Sequence, residues 1–118
     1  MSLSNLSSTS GGSLPSYTTG IVANLLAQAT ATAINRTSLY NQIGTCTSTN
    51  NGVILPSSPF IGQKYQIRND GVSLCQVFPP VGGIINSLSQ NSPFLLAAKG
   101  GEIELMASSS TQFFVVSN

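Results

Sequence analysis

Glu102 and Glu104 are the side chains whose type and spacing could do acid–base chemistry in this sequence. On a strand they would project from one face about 6–7 Å apart, a separation found between the two carboxylates of glycosidases. The sequence contains no Trp to form a platform for a sugar ring. Two outward Glu side chains on a strand more commonly form a solvated face, so we expect no catalytic residue here.

The absence of His removes most other reaction types. Without His, neither a Ser-His nor a Cys-His nucleophile pair can be assembled. Two cysteines without His do not make a zinc site, and three carboxylates are too few for a calcium site. Asp70 lies in an Asn-Asp-Gly sequence that is typical of turns. We therefore expect no metal, no cofactor and no enzymatic activity.

Cys46 and Cys75 are the two cysteines of the chain. Cys75 shares a strand face with Val77, and unpaired Cys is commonly buried as a small apolar side chain. Two reduced core thiols are therefore the favoured interpretation. A disulfide between Cys46 and Cys75 is the alternative, which the sequence leaves open because it does not give the separation of the two residues.

Charge is unusually scarce in this chain. Only 6% of the residues are charged and the formal net charge is +1, whereas a typical soluble domain has about 25% charged residues. Its polarity comes from 19 Ser, 10 Thr, 10 Asn and 7 Gln. Four basic residues cannot neutralise a row of phosphates, and no apolar run approaches the length of a membrane span. We expect neither nucleic-acid binding nor membrane insertion, and the N-terminus does not resemble a secretory signal.

Alternating apolar and polar residues between Gly, Pro and Asn turns predict an all-β fold. The length suits one domain, a single β-sandwich or barrel of about eight short antiparallel strands. The clearest hairpin joins 64–68 to 72–78 through the Asn-Asp-Gly turn. Residues 21–27 are ambiguous and 84–86 are at most a short edge strand. The remaining strands are predicted at 28–34, 38–47, 53–55, 94–97, 102–107 and 112–117, the last of them apolar on both faces and hence central or covered by another subunit.

Residues 1–19 form a predicted flexible N-terminal arm, and residues 20–118 form the β-domain. The arm is rich in Ser, Thr and Gly and has too few apolar residues to offset the entropy of ordering. We expect its apolar side chains to contact a partner by strand addition or groove filling: Leu3, Leu6, Leu14 and Tyr17. The predicted core of the domain consists of Ile67, Cys75, Val77, Leu95, Ile103, Leu105 and Val115.

The second half of the chain carries a recurrent turn pattern in the segment IGQKYQIRNDGVSLCQVFPPVGGIIN at 61–86. The segments LSQNSPFLLAAKGG at 88–101 and STQFFV at 110–115 continue it. Together they resemble a small β-domain found in virion proteins of tailed bacteriophages and other large double-stranded DNA viruses, over roughly residues 28–118. The second Pro of the Phe-Pro-Pro sequence at 78–80 departs from that pattern.

The resemblance implies a structural protein located in the virion, and it brings no active-site residues. The function it favours is that of a capsid decoration or cement subunit, a minor capsid protein that is often a homotrimer. Such a subunit attaches to the major capsid protein or other virion subunits through its arm and sandwich edges. The alternative is a tail or capsid fibre or spike module that binds a host glycan or receptor, for which we expect an exposed aromatic cluster around Tyr40, Phe60 or Phe78.

Overall fold

The computed structural model describes residues 16–25 and 27–117, which form two β-sheets and one short 3-10 helix, Gln28–Thr30. The all-β prediction is therefore confirmed. The described strands, numbered in chain order, are β1 Ser16–Val22, β2 Asn24–Leu25, β3 Thr32–Ala33, β4 Ser38–Thr45, β5 Asn51–Ile54, β6 Lys64–Asn69, β7 Cys75–Phe78, β8 Ile84–Ile85, β9 Phe94–Leu96, β10 Gly101–Ala107 and β11 Gln112–Ser117.

The chain winds like a solenoid between a large and a small sheet. The large sheet has the order β1-β4-β6-β10-β11-β8, and the small sheet has the order β2-β5-β7-β9, with β3 also paired to β5. β1 lies in the large sheet, and β2 and β3 lie in the small one. From β3 to β10, consecutive strands alternate between the two sheets. Strands from successive turns of the coil therefore pair in parallel. In the large sheet β4 pairs with β1 and β6, and in the small sheet β5 pairs with β3 and β7.

Hydrogen bonds continue this stacking outside the strands. The Asp70 amide donates to the Ile43 carbonyl at 2.9 Å, and the Leu55 amide donates to the Phe78 carbonyl at 2.9 Å. Main-chain groups that leave a sheet at a corner thus find partners in the neighbouring turn of the coil, as buried backbone groups must. The corners are therefore ordered parts of the coil and position the residues around them.

The prediction of antiparallel strands is wrong for β1, β4 and β6 of the large sheet and for β5 and β7 of the small sheet, which pair in parallel. The predicted hairpin across 64–78 is also wrong, because β6 lies in the large sheet and β7 in the small one. At the turn between them, Asn69 Oδ1 accepts from the Gly71 amide at 2.9 Å, and Asn69 Nδ2 donates to the Leu96 carbonyl of β9 at 3.2 Å. These bonds direct the chain across to the small sheet rather than back along β6.

The predicted strand at 28–34 is largely wrong. Its first half is the 3-10 helix, in which the Ala27 carbonyl accepts from the Thr30 amide at 3.0 Å, and only Thr32–Ala33 is a strand. The Gln28 side chain leaves the alternating pattern to donate to the Pro79 carbonyl at 2.8 Å. A long-range contact thus overrides the local period of two.

One buried apolar cluster contains residues of both sheets. It confirms the predicted burial of Ile67, Cys75, Val77, Ile103 and Leu105, and Val115 packs against it while partly buried. Leu95 was wrongly assigned to the core, because 55% of its surface is exposed. Its neighbour Leu96, which pairs with Cys75, takes the buried position, so the alternation in β9 is shifted by one residue.

Gly71 lets the corner between β6 and β7 pack directly on Cys46. An added Cβ at residue 71 would lie 2.6 Å from Cys46 Cβ and 2.9 Å from the Cys46 carbonyl oxygen. We expect Gly71→Ala to destabilise the protein by about 3 kcal/mol, measured as a lower midpoint of urea unfolding, because backbone on both sides must move. Gly62→Ala is the control: it has open space around it and should cost only about 1 kcal/mol for its positive φ. Equal losses in the two variants would contradict the close packing.

Candidate functional site: the open end of the coil and the outer face of the large sheet

The outer face of the large sheet carries the two predicted outward carboxylates. Glu102 and Glu104 alternate on β10 with the buried Ile103 and Leu105, as the sequence predicted. Glu104 lies 4.0 Å from Lys64, and Glu102 lies 3.7 Å from Arg68, both on the neighbouring strand β6. Each Glu therefore faces a cation across the sheet. This is the arrangement of a row of solvent-exposed ion pairs, each of which contributes little to the free energy of unfolding.

Arg68 and Asp70 form the closest ion pair of this face. Arg68 Nε donates to Asp70 Oδ1 at 2.9 Å, and Gln42 Nε2 donates to the other carboxylate oxygen at 2.9 Å. The Gln42 hydrogen bond and the Arg68 guanidinium hold the pKa of Asp70 below its ordinary value, and Asp70 in turn raises the pKa of Arg68. Gln42 Oε1 also accepts from the Gly20 amide at 2.7 Å, so this polar chain reaches β1.

A cleft of about 640 Å³ lies where three turns of the coil pass from the small sheet to the large one. Arg36 stands at its side, donating to the Ser58 carbonyl at 2.7 Å and lying 4.1 Å from the centre of the Phe60 ring. The apolar side chains that line the cleft are mostly buried, with Val81 exposed, and the Arg36 guanidinium is already bound to a carbonyl and a ring. The residues that line it include Ile34, Leu55, Pro56, Pro80 and Val81.

The aromatic residues predicted for glycan or receptor binding do not share one exposed surface. Phe78 is only 7% exposed and ends β7 in the small sheet. Tyr40 is half-buried in β4 of the large sheet, and Phe60 is covered on one side by Arg36. Exposed apolar residues lie instead on β11, where Phe114 and Val116 alternate with the buried Phe113 and half-buried Val115. This strand lies between β10 and β8, consistent with the predicted central position.

The residues predicted to contact a partner separate into two groups. Leu3, Leu6 and Leu14 lie outside the described residues. Tyr17 lies on β1 and is 72% exposed. The predicted boundary of the arm at residue 19 falls inside β1, which pairs in parallel with β4.

β1 is the open edge of the large sheet. It has β4 on one side and no described strand on the other, and β2 and β3 form the same end of the small sheet. Six of its seven residues are exposed. The chain has no charged residue before Arg36, so none of these edge strands carries the charges with which natural edges resist pairing. β1 does have one protective feature, its irregular pairing with β4: the register shifts between Ser16 and Tyr17 and again around Gly20, which has a positive φ.

Cys46 and Cys75 are free, fully buried thiols in neighbouring turns of the coil. Cys46 Sγ lies 3.5 Å from the carbonyl oxygen of Leu74, the residue that precedes Cys75. Burial raises the pKa of the Cys75 thiol, and the adjacent Cys46 thiol raises it further. No group of three or more metal-ligating His, Cys, Asp or Glu side chains occurs among the described residues.

Three buried Asn side chains were missed by the sequence analysis. Asn41 Nδ2 donates to the Ser38 carbonyl at 2.8 Å, and Asn51 Nδ2 donates to the Ala23 carbonyl at 3.1 Å. Asn69 is the third and holds the corner after β6. The available signal was an Asn inside a predicted strand with apolar residues two positions before and after it, as Asn41 has in Leu39 and Ile43.

Comparison of the chain with protein-family models, with curated proteins and with solved structures finds no match. Within the described part of the chain, no helix has the length and hydropathy needed to cross a bilayer.

The titratable groups predict how stability depends on pH. With no His, stability should be constant between pH 5 and 7. The pKa of Asp70 is lower in the folded chain, so its stabilising contribution is present above its unfolded pKa of about 3.9 and is lost as the pH falls through the folded value. The thermal unfolding temperature, measured from pH 2 to 7, should be constant between pH 5 and 7 and should decrease at lower pH.

Asp70→Asn should reduce that fall on the acid side, because the group that titrates is gone. Glu104→Gln is the control, since its carboxylate lies 4.0 Å from Lys64, beyond hydrogen-bond distance, and it should keep most of the acid-side loss. A transition midpoint between pH 5 and 7, or identical acid-side behaviour of the two variants, would contradict this assignment.

Proposed function

We propose that this chain is a structural subunit of a virus particle, a capsid decoration or cement protein that attaches through its N-terminal segment and the open edge of β1. The observation that carries the proposal is the uncharged, exposed strand Ser16–Val22, which continues directly from residues 1–15 and ends the large sheet. An edge strand leaves main-chain N–H and C=O groups without a partner strand on one side, although in β1 the Gly20 amide is already bonded to Gln42 Oε1.

The scarcity of charge supports a role as a subunit of an assembly rather than as a protein that acts alone in solution. A near-neutral surface favours self-association, and a subunit built into an array covers much of its surface with neighbours. Five of the seven charged side chains lie on β6, β10 and the turn after β6, and β4 separates β6 from β1. Association at β1 would therefore be driven by main-chain hydrogen bonds and by apolar side chains such as Tyr17 and Val22.

The resemblance of residues 28–118 to virion β-domains supports the same function, and it suggests a homotrimer and contact with a major capsid protein. The single apolar cluster shared by the two sheets supports the view that they pack face to face, as in a sandwich, around the wound chain. The exposed Phe114 and Val116 on β11 offer a second surface for contact between subunits.

A lysine at the open edge tests the proposal. We expect Tyr17→Lys to weaken binding to purified particles of the source virus at least tenfold, because a charged edge side chain opposes strand addition. Val72→Lys is the matched control: Val72 is 70% exposed, against 72% for Tyr17, but lies in a turn. Saturable binding would be measured by sedimentation with the particles, and the mass of the free chain by light scattering.

Binding should also change little between low and high salt, because so few charges are present to be screened. Absence of the chain from gradient-purified particles, or equal binding by Tyr17→Lys and Val72→Lys, would overturn the proposed attachment. A monomer that ignores particles but binds a glycan would favour the fibre or spike function instead.

A further inference from the structure

We propose that Cys46 and Cys75 are the two halves of a disulfide that joins the end of β4 in the large sheet to the start of β7 in the small sheet. This inference concerns the fold itself and does not rest on the proposed function. Both residues are 0% exposed and belong to one buried cluster, although 28 residues lie between them in sequence.

The main chain holds the two cysteines next to each other. Cys46 follows β4 directly, and its carbonyl accepts from the Ser73 amide at 2.9 Å. Its Sγ lies 3.5 Å from the Leu74 carbonyl oxygen, one peptide bond before Cys75. The corner at Gly71 packs on Cys46 so closely that an added Cβ would lie 2.6 Å from Cys46 Cβ. The cysteine pair therefore sits at a contact that the fold fixes from several sides.

The thiols also interact with one another. Burial raises the pKa of the Cys75 thiol, and the nearby Cys46 group raises it further, an effect that requires the two side chains to be close. As free thiols, both groups have only long sulfur contacts to carbonyls, 3.5 and 3.7 Å for Cys46 and 3.8 Å for Cys75. Joining the sulfurs removes two weak donors from the core and adds no polar atom.

A low-molecular-weight disulfide such as oxidised glutathione would supply the oxidising equivalents. One cysteine loses its proton, and its thiolate attacks a glutathione sulfur, forming a mixed disulfide and releasing one glutathione thiolate. The second cysteine then loses its proton and attacks the protein sulfur of that mixed disulfide, which releases the second glutathione. Two protein thiols are oxidised to one S–S bond, and one glutathione disulfide is reduced to two thiols.

The raised pKa of Cys75 sets when this reaction occurs. Thiolate is the attacking species, and burial disfavours it in the folded chain. Oxidation of the folded, reduced protein should therefore be slow, whereas oxidation during folding, before the corner at 69–73 closes, should be fast. Once formed, the buried bond should resist dithiothreitol far longer in the folded chain than in urea.

The test measures disulfide formation at equilibrium in a glutathione redox buffer, with and without 8 M urea. The oxidised full-length chain is about 2 Da lighter than the reduced chain, so intact-mass spectrometry gives the ratio of the two forms. We expect the ratio of oxidised to reduced chain to be roughly 100-fold higher without urea. A disulfide that stabilises the folded chain must, by thermodynamic linkage, form more readily in the folded chain than in the unfolded one. The oxidised chain should also unfold at a temperature at least roughly 10 °C higher.

Cys46→Ser and Cys75→Ser are the control variants, and neither should show the 2 Da loss. The wild-type comparison decides the matter even if these variants fold poorly. A native ratio at or below the ratio in urea would show that the fold opposes the bond, and glutathione adducts without the internal bond would show the same. Either result overturns the proposal and leaves Cys46 and Cys75 as reduced core residues.

Discussion

The buried carboxamide of Asn69 is the interaction on which the path of the chain depends. It donates to the carbonyls of Ser73 and Leu96 and accepts from the Gly71 amide, so one side chain joins the end of β6, the corner that follows it and strand β9 of the small sheet. A buried amide whose hydrogen bonds are all made is well tolerated. Removing it would leave the carbonyls of Ser73 and Leu96 and the Gly71 amide without this hydrogen-bond partner. These bonds hold the chain on a path away from β6, which places β7 beside β5 in the other sheet.

Buried Asn side chains of β4 and β5 also bind main-chain carbonyls, and this use of Asn helps to explain the unusual composition. Asn51 holds the Ala23 carbonyl, and Asn41 holds the Ser38 carbonyl. Uncharged amides can be buried at such corners at lower cost than charged groups, because no ion has to be desolvated. A wound chain with many corners thus favours Asn over Lys or Glu. The oxygens of Asn41 and Asn51 lack a protein partner, so these two side chains are less completely hydrogen-bonded than that of Asn69.

The sequence was informative wherever a property is local. The alternation in β10 placed Glu102 outward and Ile103 inward, and the Pro and Gly residues marked turns that the structure contains. It failed where the outcome depends on a distant partner. The Asn-Asp-Gly turn is compatible with a hairpin or with a corner, and only the Leu96 carbonyl and the Cys46 backbone decide between them. The 3-10 helix after Ala27 is likewise accompanied by a bond to Pro79, 51 residues away from Gln28.

The candidate site was only partly accessible from sequence for a related reason. The lack of charge before Arg36 is visible in the sequence, but that these uncharged residues form the open end of both sheets is visible only in the winding. β1 is the least buried of the long strands, and the corners at Asn69 and Cys46 lie between β4, β6 and β7, inside the stack. A strand added to β1 would therefore extend the large sheet without repacking the core. In such a coil, the buried corners and the open edge of β1 lie on different turns and are linked at the surface through Gln42, which bonds both Asp70 and Gly20, so a substitution at Tyr17 need not disturb the corners.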